Sequence, residues 1–210
     1  MRHSRPQTTT SSESHKLFSS PEQKADLEAR NGLFQFDEVV RLIHTSNDVL
    51  ALSPDIIKSL HSCAIRDIYS CAGNFRNGWV TIHNSSHTPP HPDQVSVLVD
   101  SMCEYANDHQ KDAVHVSAYL MWRMNWIHPF FGGNGRTSRA VSYLALSVGL
   151  GMLLPGNPTI PDQIVLDREP YYEALEAADH CWGQGQLNLE LMEGLIRKLL
   201  TQQLSSGHGP

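Results

Sequence analysis

The sequence predicts a single, mainly α-helical domain that carries one short β-hairpin flap. Three observations predict it. Two Ser-Pro pairs, Ser20-Pro21 and Ser53-Pro54, are helix-start signals. Apolar residues recur at helical spacing along most of the chain. One compact β-branched and aromatic cluster, Trp79-Val80-Thr81-Ile82, breaks that pattern. At 210 residues the chain is long enough for one substantial core.

The elements follow in order. Residues 1–19 are rich in Ser, Thr and His, with Glu13 as their only acid, and predict a disordered tail. They hold no apolar run for a secretory signal. Ser20, Pro21 and Gln23 suit a cap, a first turn and a capping box, which predicts a helix to about Arg30. A second helix is predicted over Phe36–His44. After Ser53-Pro54, Ile57, Leu60, Ala64 and Ile68 mark one face of a helix ending near Gly73. Pro92 opens a further helix with Val95, Leu98, Val99 and Met102 at core spacing. Asp112 caps a helix that Pro129 should stop at His128. The next helix starts around Gly135–Thr137, and two more cover Asp167 to about His180 and Asn188 to about Leu204. Residues 205–210 predict a frayed tail, which leaves 20–204 as the single domain.

Residues 73–90 read as an exposed hairpin or edge strand with a turn at Asn84-Ser85-Ser86, or as an irregular connector. His83, His87 and His91 are spaced for a helical metal face, but Pro89 and Pro90 forbid that helix, so they read as exposed flap residues. The net charge of −6 and the lack of a basic stripe argue against nucleic acid as a partner. The longest apolar stretch, 140–154, is too short and interrupted to span a membrane. The four cysteines have no CxxC spacing and read as reduced core thiols, which suggests a cytoplasmic protein, with a translocated one as the alternative.

The chemistry concentrates in His128-Pro129-Phe130-Phe131-Gly132-Gly133-Asn134-Gly135-Arg136-Thr137-Ser138-Arg139. A helix end, a glycine-rich loop and a new helix start gather backbone N–H groups around one concavity, and the helix dipole favours an anion there. Arg136 and Arg139 fall on neighbouring parts of one helical face, where their guanidinium groups could grip phosphate oxygens. His128 sits at the rim, as a general base would. Spacing alone leaves two readings: a phosphate site beside a base, or a tight turn with a capping histidine.

The same segment resembles the Fic family signature, H-P-F-x-[D/E]-G-N-G-R-x-x-R. His128, Pro129, Phe130, Gly133, Asn134, Gly135, Arg136 and Arg139 match it. Leu27–Gly32, Ala72–Arg76, Trp79–Ile82, His87–Pro90 and Tyr171–Leu175 resemble other family segments, and the likeness covers roughly 25–200. The resemblance implies a Fic-type helical fold and transfer of AMP from ATP to a Ser, Thr or Tyr hydroxyl of a target protein. It makes His128 the base. It assigns the α-phosphate to Asn134 and the amides of Gly133 and Gly135, and the departing pyrophosphate to Arg136 and Arg139. It makes Trp79, Val80, Thr81 and Ile82 the target-docking flap.

Gly132 departs from the pattern, because the family has an acid there that holds Mg²⁺. Magnesium would then bind through phosphates alone or through a carboxylate from elsewhere. That leaves three alternatives: AMP transfer at altered efficiency, transfer of another phosphate-containing group, or a non-catalytic nucleotide-binding module. Many relatives carry an inhibitory helix of pattern [S/T]-x-x-x-E-[G/N]. The one Glu-Gly pair here, Glu193-Gly194, has Leu189 at the Ser/Thr position and reads as solvent-facing, so control would fall to a separate inhibitory partner or be absent. Phe130, Trp122 and Trp126 read as core residues. Tyr171 and Tyr172 could border a nucleobase, with at least one of them in the core.

Overall fold

A computed structural model describes residues 16–207 apart from positions 48, 50, 83, 84, 86 and 111. The order is α1 (Pro21–Thr45), α2 (Pro54–Ile65), α3 (Val95–Asp108), α4 (Ala113–Ile127), α5 (Asn134–Gly149), α6 (Ile160–Leu166), α7 (Glu169–Gly183) and α8 (Glu190–Ser206). A 3-10 turn, Pro92–Gln94, leads into α3. None of these helices is long and apolar enough to cross a membrane.

The caps act where the sequence places them. Ser20 accepts from the Gln23 N–H, Ser53 from the Ile56 N–H and Asp112 from the His115 N–H. The Gln23 side chain, however, accepts from Ser19 and not from the capping Ser20. α1 is one 25-residue helix where the sequence predicts two. Gly32 inside it costs about 1 kcal/mol against alanine. Tertiary contacts override that cost: the Asn31 carboxamide donates to Arg66 O at 2.6 Å and Gln35 donates to Leu60 O at 3.0 Å, joining α1 to α2. α2 stops at Ile65, short of Gly73: Arg66 leaves helical geometry at ψ 138°, and Asp67 follows with a positive φ of 61°. The sequence reading does not contain α6, a seven-residue helix started by a reciprocal Thr159–Asp162 capping box.

α4 and α5 form the central hairpin and pack on each other more extensively than any other pair. α4 is buried on nearly every side, from Val114 to Ile127. Its N-terminal end meets the C-terminal end of α5 so closely that a Cβ on Gly149 would lie 2.6 Å from Ala113 Cβ. Ser117 and Ser142 bridge the pair inside the core at 2.7 Å. α1 and α2 cover α5, while α3, α7 and α8 cover α4.

Two expectations about the periphery change. No β-hairpin forms among the described residues: Trp79–Ile82 has no strand partner, and the isolated bridge there is Lys16 with Tyr69. On either side of the segment Gly78 O accepts from Arg76 and His87 donates to Trp126 O, and Pro89 and Pro90 have no N–H to give a ladder. Positions 83, 84 and 86, which hold His83 and most of the expected turn, lie outside the described residues. The ordered chain also reaches into both tails. Leu17 N–H donates to Ile68 O at 3.0 Å, Phe18 meets Tyr69 edge-on, and α8 continues to Ser206. Positions 1–15 and 208–210 lie outside the described residues.

Candidate active site

The site begins where α4 ends. Pro129 disfavours helical geometry at His128, which takes a left-handed conformation with φ 51° and ψ 58°. Such a conformation costs a non-glycine residue roughly 1–2 kcal/mol. Arg76 offsets that cost. Its Nε donates to His128 O at 2.8 Å, Nη2 to Pro90 O at 2.7 Å and Ile127 O at 3.3 Å, and Nη1 to Gly78 O at 3.0 Å. Its own N–H donates to Pro129 O at 2.8 Å. A buried cation thus covers the carbonyl end of α4, the negative pole of that helix. Sequence reasoning gave Arg76 no such task, because its partners are backbone carbonyls far along the chain.

The half-buried His128 ring turns Nδ1 toward Asn125 O at 3.4 Å. An Nδ1–H donating there leaves Nε2 with a free lone pair. Burial pushes the imidazole pKa down to about 4, and the nearby charges of Arg76 and His87 push the same way. The ring is therefore neutral at pH 7, as a proton acceptor must be.

The loop beyond His128 is braced from within. Phe130 is fully buried, stacked on His61 with 3.5 Å between centroids and tilted against Phe75. The Asn134 carboxamide accepts from Phe130 N–H at 3.0 Å and donates to Phe130 O at 2.8 Å. Its side chain is thereby engaged by the loop itself, and the group left for a phosphate oxygen is its backbone N–H. Gly133 has φ 76°, and a Cβ there would lie 2.8 Å from Ile65 Cγ2. No side chain caps the first turn of α5. Its leading amides, including those of Asn134 and Gly135, are the donors that an anion would satisfy.

The two arginines differ. Arg136 is already paired, with Nη2 2.6 Å from Glu28 Oε1 and Nη1 donating to Ala64 O at 3.1 Å. Arg139 has no hydrogen-bonded or ion-paired partner among the described residues. Burial lowers its pKa, and no acid is among the groups that perturb it. Both line a mainly apolar cavity of about 640 Å³ between α1, α5 and α6, together with Phe36, Tyr143 and Val165. His128 lines a different cavity of about 460 Å³, with Ile82, His87, Trp126, Tyr172 and Asp179. The sequence reading expected one concavity. The structure divides its residues between two, with the loop joining them along the chain and α1 bringing Glu28 onto Arg136.

Several other residues depart from their sequence readings. His87 is not an exposed flap residue: Nε2–H donates to Trp126 O at 2.7 Å, and Nδ1 lies 3.9 Å from Asp179 Oδ2. Asp179 also accepts from Trp122 Nε1 at 2.7 Å, and burial raises its carboxyl pKa. Glu193 faces His115 at 2.8 Å instead of open solvent. Tyr171 is buried, with its hydroxyl accepting from Asn125, whereas Tyr172 is exposed at the His128 cavity. Among the flap residues, Ile82 lines that cavity and Trp79 is 53% exposed. All four cysteines are free.

Gly132 has no carboxylate, and no group of three or more His, Cys, Asp or Glu residues suited to a metal exists among the described residues. Position 132 offers a Mg²⁺ no side-chain oxygen, so the ion would depend on donor phosphates or on a carboxylate from elsewhere.

Comparison with known proteins agrees with the motif. Residues 51–146 match the Fic/DOC family model. The protein adenylyltransferase Fic of Drosophila persimilis is 31% identical over 111 residues, covering 51% of this chain and 20% of that protein. The one from Aedes aegypti is 27% identical over 161 residues, covering 73% of this chain and 30% of that protein. The chain therefore spans a minor part of these curated relatives. Among solved structures, a Fic family protein from Desulfovibrio desulfuricans G20 superposes with a TM-score of 0.70 at 24% identity, covering 92% of this chain and 57% of that one. A Fic domain-containing signaling protein from Bacteroides thetaiotaomicron VPI-5482 gives 0.73 at 15% identity, covering 90% and 73%. Both likenesses are to the fold.

Proposed function

From the premise that this chain belongs to the Fic/DOC family, we propose that it is a transferase that moves AMP from ATP onto a Ser, Thr or Tyr hydroxyl of another protein. The observation that carries this reading is the join of two elements. A neutral His128 with Nε2 free ends α4, and five residues later an uncapped run of amides opens α5.

The chemistry follows from those groups. The α-phosphate oxygens bind the amides of Gly133, Asn134 and Gly135. Arg139, which lacks an anion, takes the outer phosphates. The target oxygen attacks the α-phosphorus in line, His128 Nε2 accepts its proton, and the bond from phosphorus to the β-phosphate oxygen breaks to release pyrophosphate. Positioning and charge neutralisation do most of the work in such a transfer. Trp79–Ile82 has main-chain groups open to an extended target segment.

Glu28 adds restraint to this reading. It neutralises Arg136, so donor phosphates must displace a carboxylate to use both arginines. That pair, with Gly132 in place of an acid, favours one alternative: a nucleotide-binding interaction module with little turnover.

The test is incubation with α-labelled ATP and a lysate, comparing wild type with His128→Ala. Label on protein that disappears in the variant supports the transferase. ATP binding without any transferred label supports the module.

A further inference from the structure

His61, on α2, is a buried titratable group to which the reaction above gives no role. Its ring is fully buried and lies flat under the motif loop, 3.5 Å from Phe130 and 8° from parallel. Each ring nitrogen has one partner. Nδ1 accepts from the Gly73 N–H at 3.0 Å, and Nε2 lies 2.9 Å from Gly132 O. An amide N–H needs an acceptor and a carbonyl needs a donor, so only the neutral Nε2–H tautomer satisfies both contacts. Burial keeps the ring in that form, holding its pKa at about 4.

The bond to Gly132 O sets the next amide. In a trans peptide the C=O and the following N–H point in opposite directions. Anchoring the Gly132 carbonyl on His61 therefore aims the Gly133 N–H away from α2. The fit is close: a Cβ on Gly133 would lie 3.3 Å from His61 Cδ2 as well as 2.8 Å from Ile65. Gly132 has no side chain to assist.

We propose that His61 is a positioning residue that orients the Gly132–Gly133 peptide, so that the Gly133 N–H is preset as a donor to phosphate oxygens. The proposal rests on the phosphate-site reading and adds a residue that touches no substrate. It also gives the neutral tautomer a purpose: the opposite tautomer would set Nδ1–H against the Gly73 N–H and leave Gly132 O without a donor.

The experiment measures ATP binding by calorimetry for wild type, His61→Phe and His61→Gln. Phenylalanine keeps the ring stack and removes the donor; glutamine keeps an N–H at the Nε2 position. The expected result is about tenfold weaker binding in a folded His61→Phe, with His61→Gln within about threefold of wild type. The Gly133 amide proton should shift downfield on ATP addition in wild type and in His61→Gln, and not in His61→Phe. A folded His61→Phe that binds like wild type, or an equal loss in both variants, overturns the proposal. If His61→Phe does not fold, ¹⁵N shifts of the wild-type imidazole decide: Nε2–H sustains the proposal and Nδ1–H overturns it. Wild-type protein that ignores ATP overturns the phosphate-site reading and this proposal with it.

Discussion

The loop from His128 to Arg136 and the segment from Trp79 to Ile82 flank one end of α4 and are built in opposite ways. In the loop, the groups that fix its shape have partners while the first amides of α5 stay open: Arg76 holds the His128 carbonyl, Asn134 clasps Phe130, and His61 braces Gly132. Trp79–Ile82 has no strand partner among the described residues, and Trp79 stands open to solvent beside His91. The contrast assigns the tasks. The half that would meet a donor of fixed chemistry is formed in advance, so it loses little entropy on binding. The half that would meet a protein is left unpaired, to be completed by whatever extended segment arrives.

The largest test of the preformed half is His128→Ala. Transfer should fall by about 10²–10⁴-fold, the usual range for a general base, with ATP affinity nearly unchanged. Retained transfer would remove the base from the account. Its acidity gives a second test. A base with a pKa of about 4 places the acid limb of kcat/KM near that value rather than near 6.5. Stability should move with it. His61 and His128 both bind a proton less readily when folded, so the unfolded chain takes up more protons below about 6.5. Their contribution is complete above that pH and is lost as pH falls through about 4. Urea midpoints measured from pH 7 to 4 should decline over this range, and a flat profile would contradict the burial of both rings.

Adjacent glycines separate rigidity from metal use. Gly133→Ala forces a side chain into positive φ and against Ile65, and should cost about 1–3 kcal/mol in thermal unfolding together with phosphate binding. Gly132→Asp meets nothing closer than Tyr69 at 3.8 Å. It should fold normally and raise Mg²⁺-dependent transfer by about tenfold, since one carboxylate suits that ion. An unchanged rate and metal response would count against the metal argument. The smallest effect belongs to Glu28→Gln. The pair with Arg136 is about one-third exposed, so freeing the arginine is worth up to about 1 kcal/mol, or about fivefold in ATP affinity by calorimetry.

What was legible in the chain was local. Capping residues announced α2, α4 and the start of α1, and Pro129 announced the end at His128. The motif marked the loop and both arginines. Features set by distant contacts were not legible. Asn31-Gly32 reads as a helix stop until Arg66 and Leu60 supply partners for α1. Glu28 lies 108 residues from Arg136, and His61 lies 71 from Gly132, so no periodicity joins them. The flap failed as a hairpin because β-branched residues favour extended backbone without providing a partner strand.

The most direct measurement of the central claim is the intact mass of a modified target after reaction with ATP, for wild type and His128→Ala side by side. Wild type should add one AMP per modified hydroxyl, and the variant none. An AMP adduct that persists without His128, or a wild-type adduct of any other mass, would contradict it.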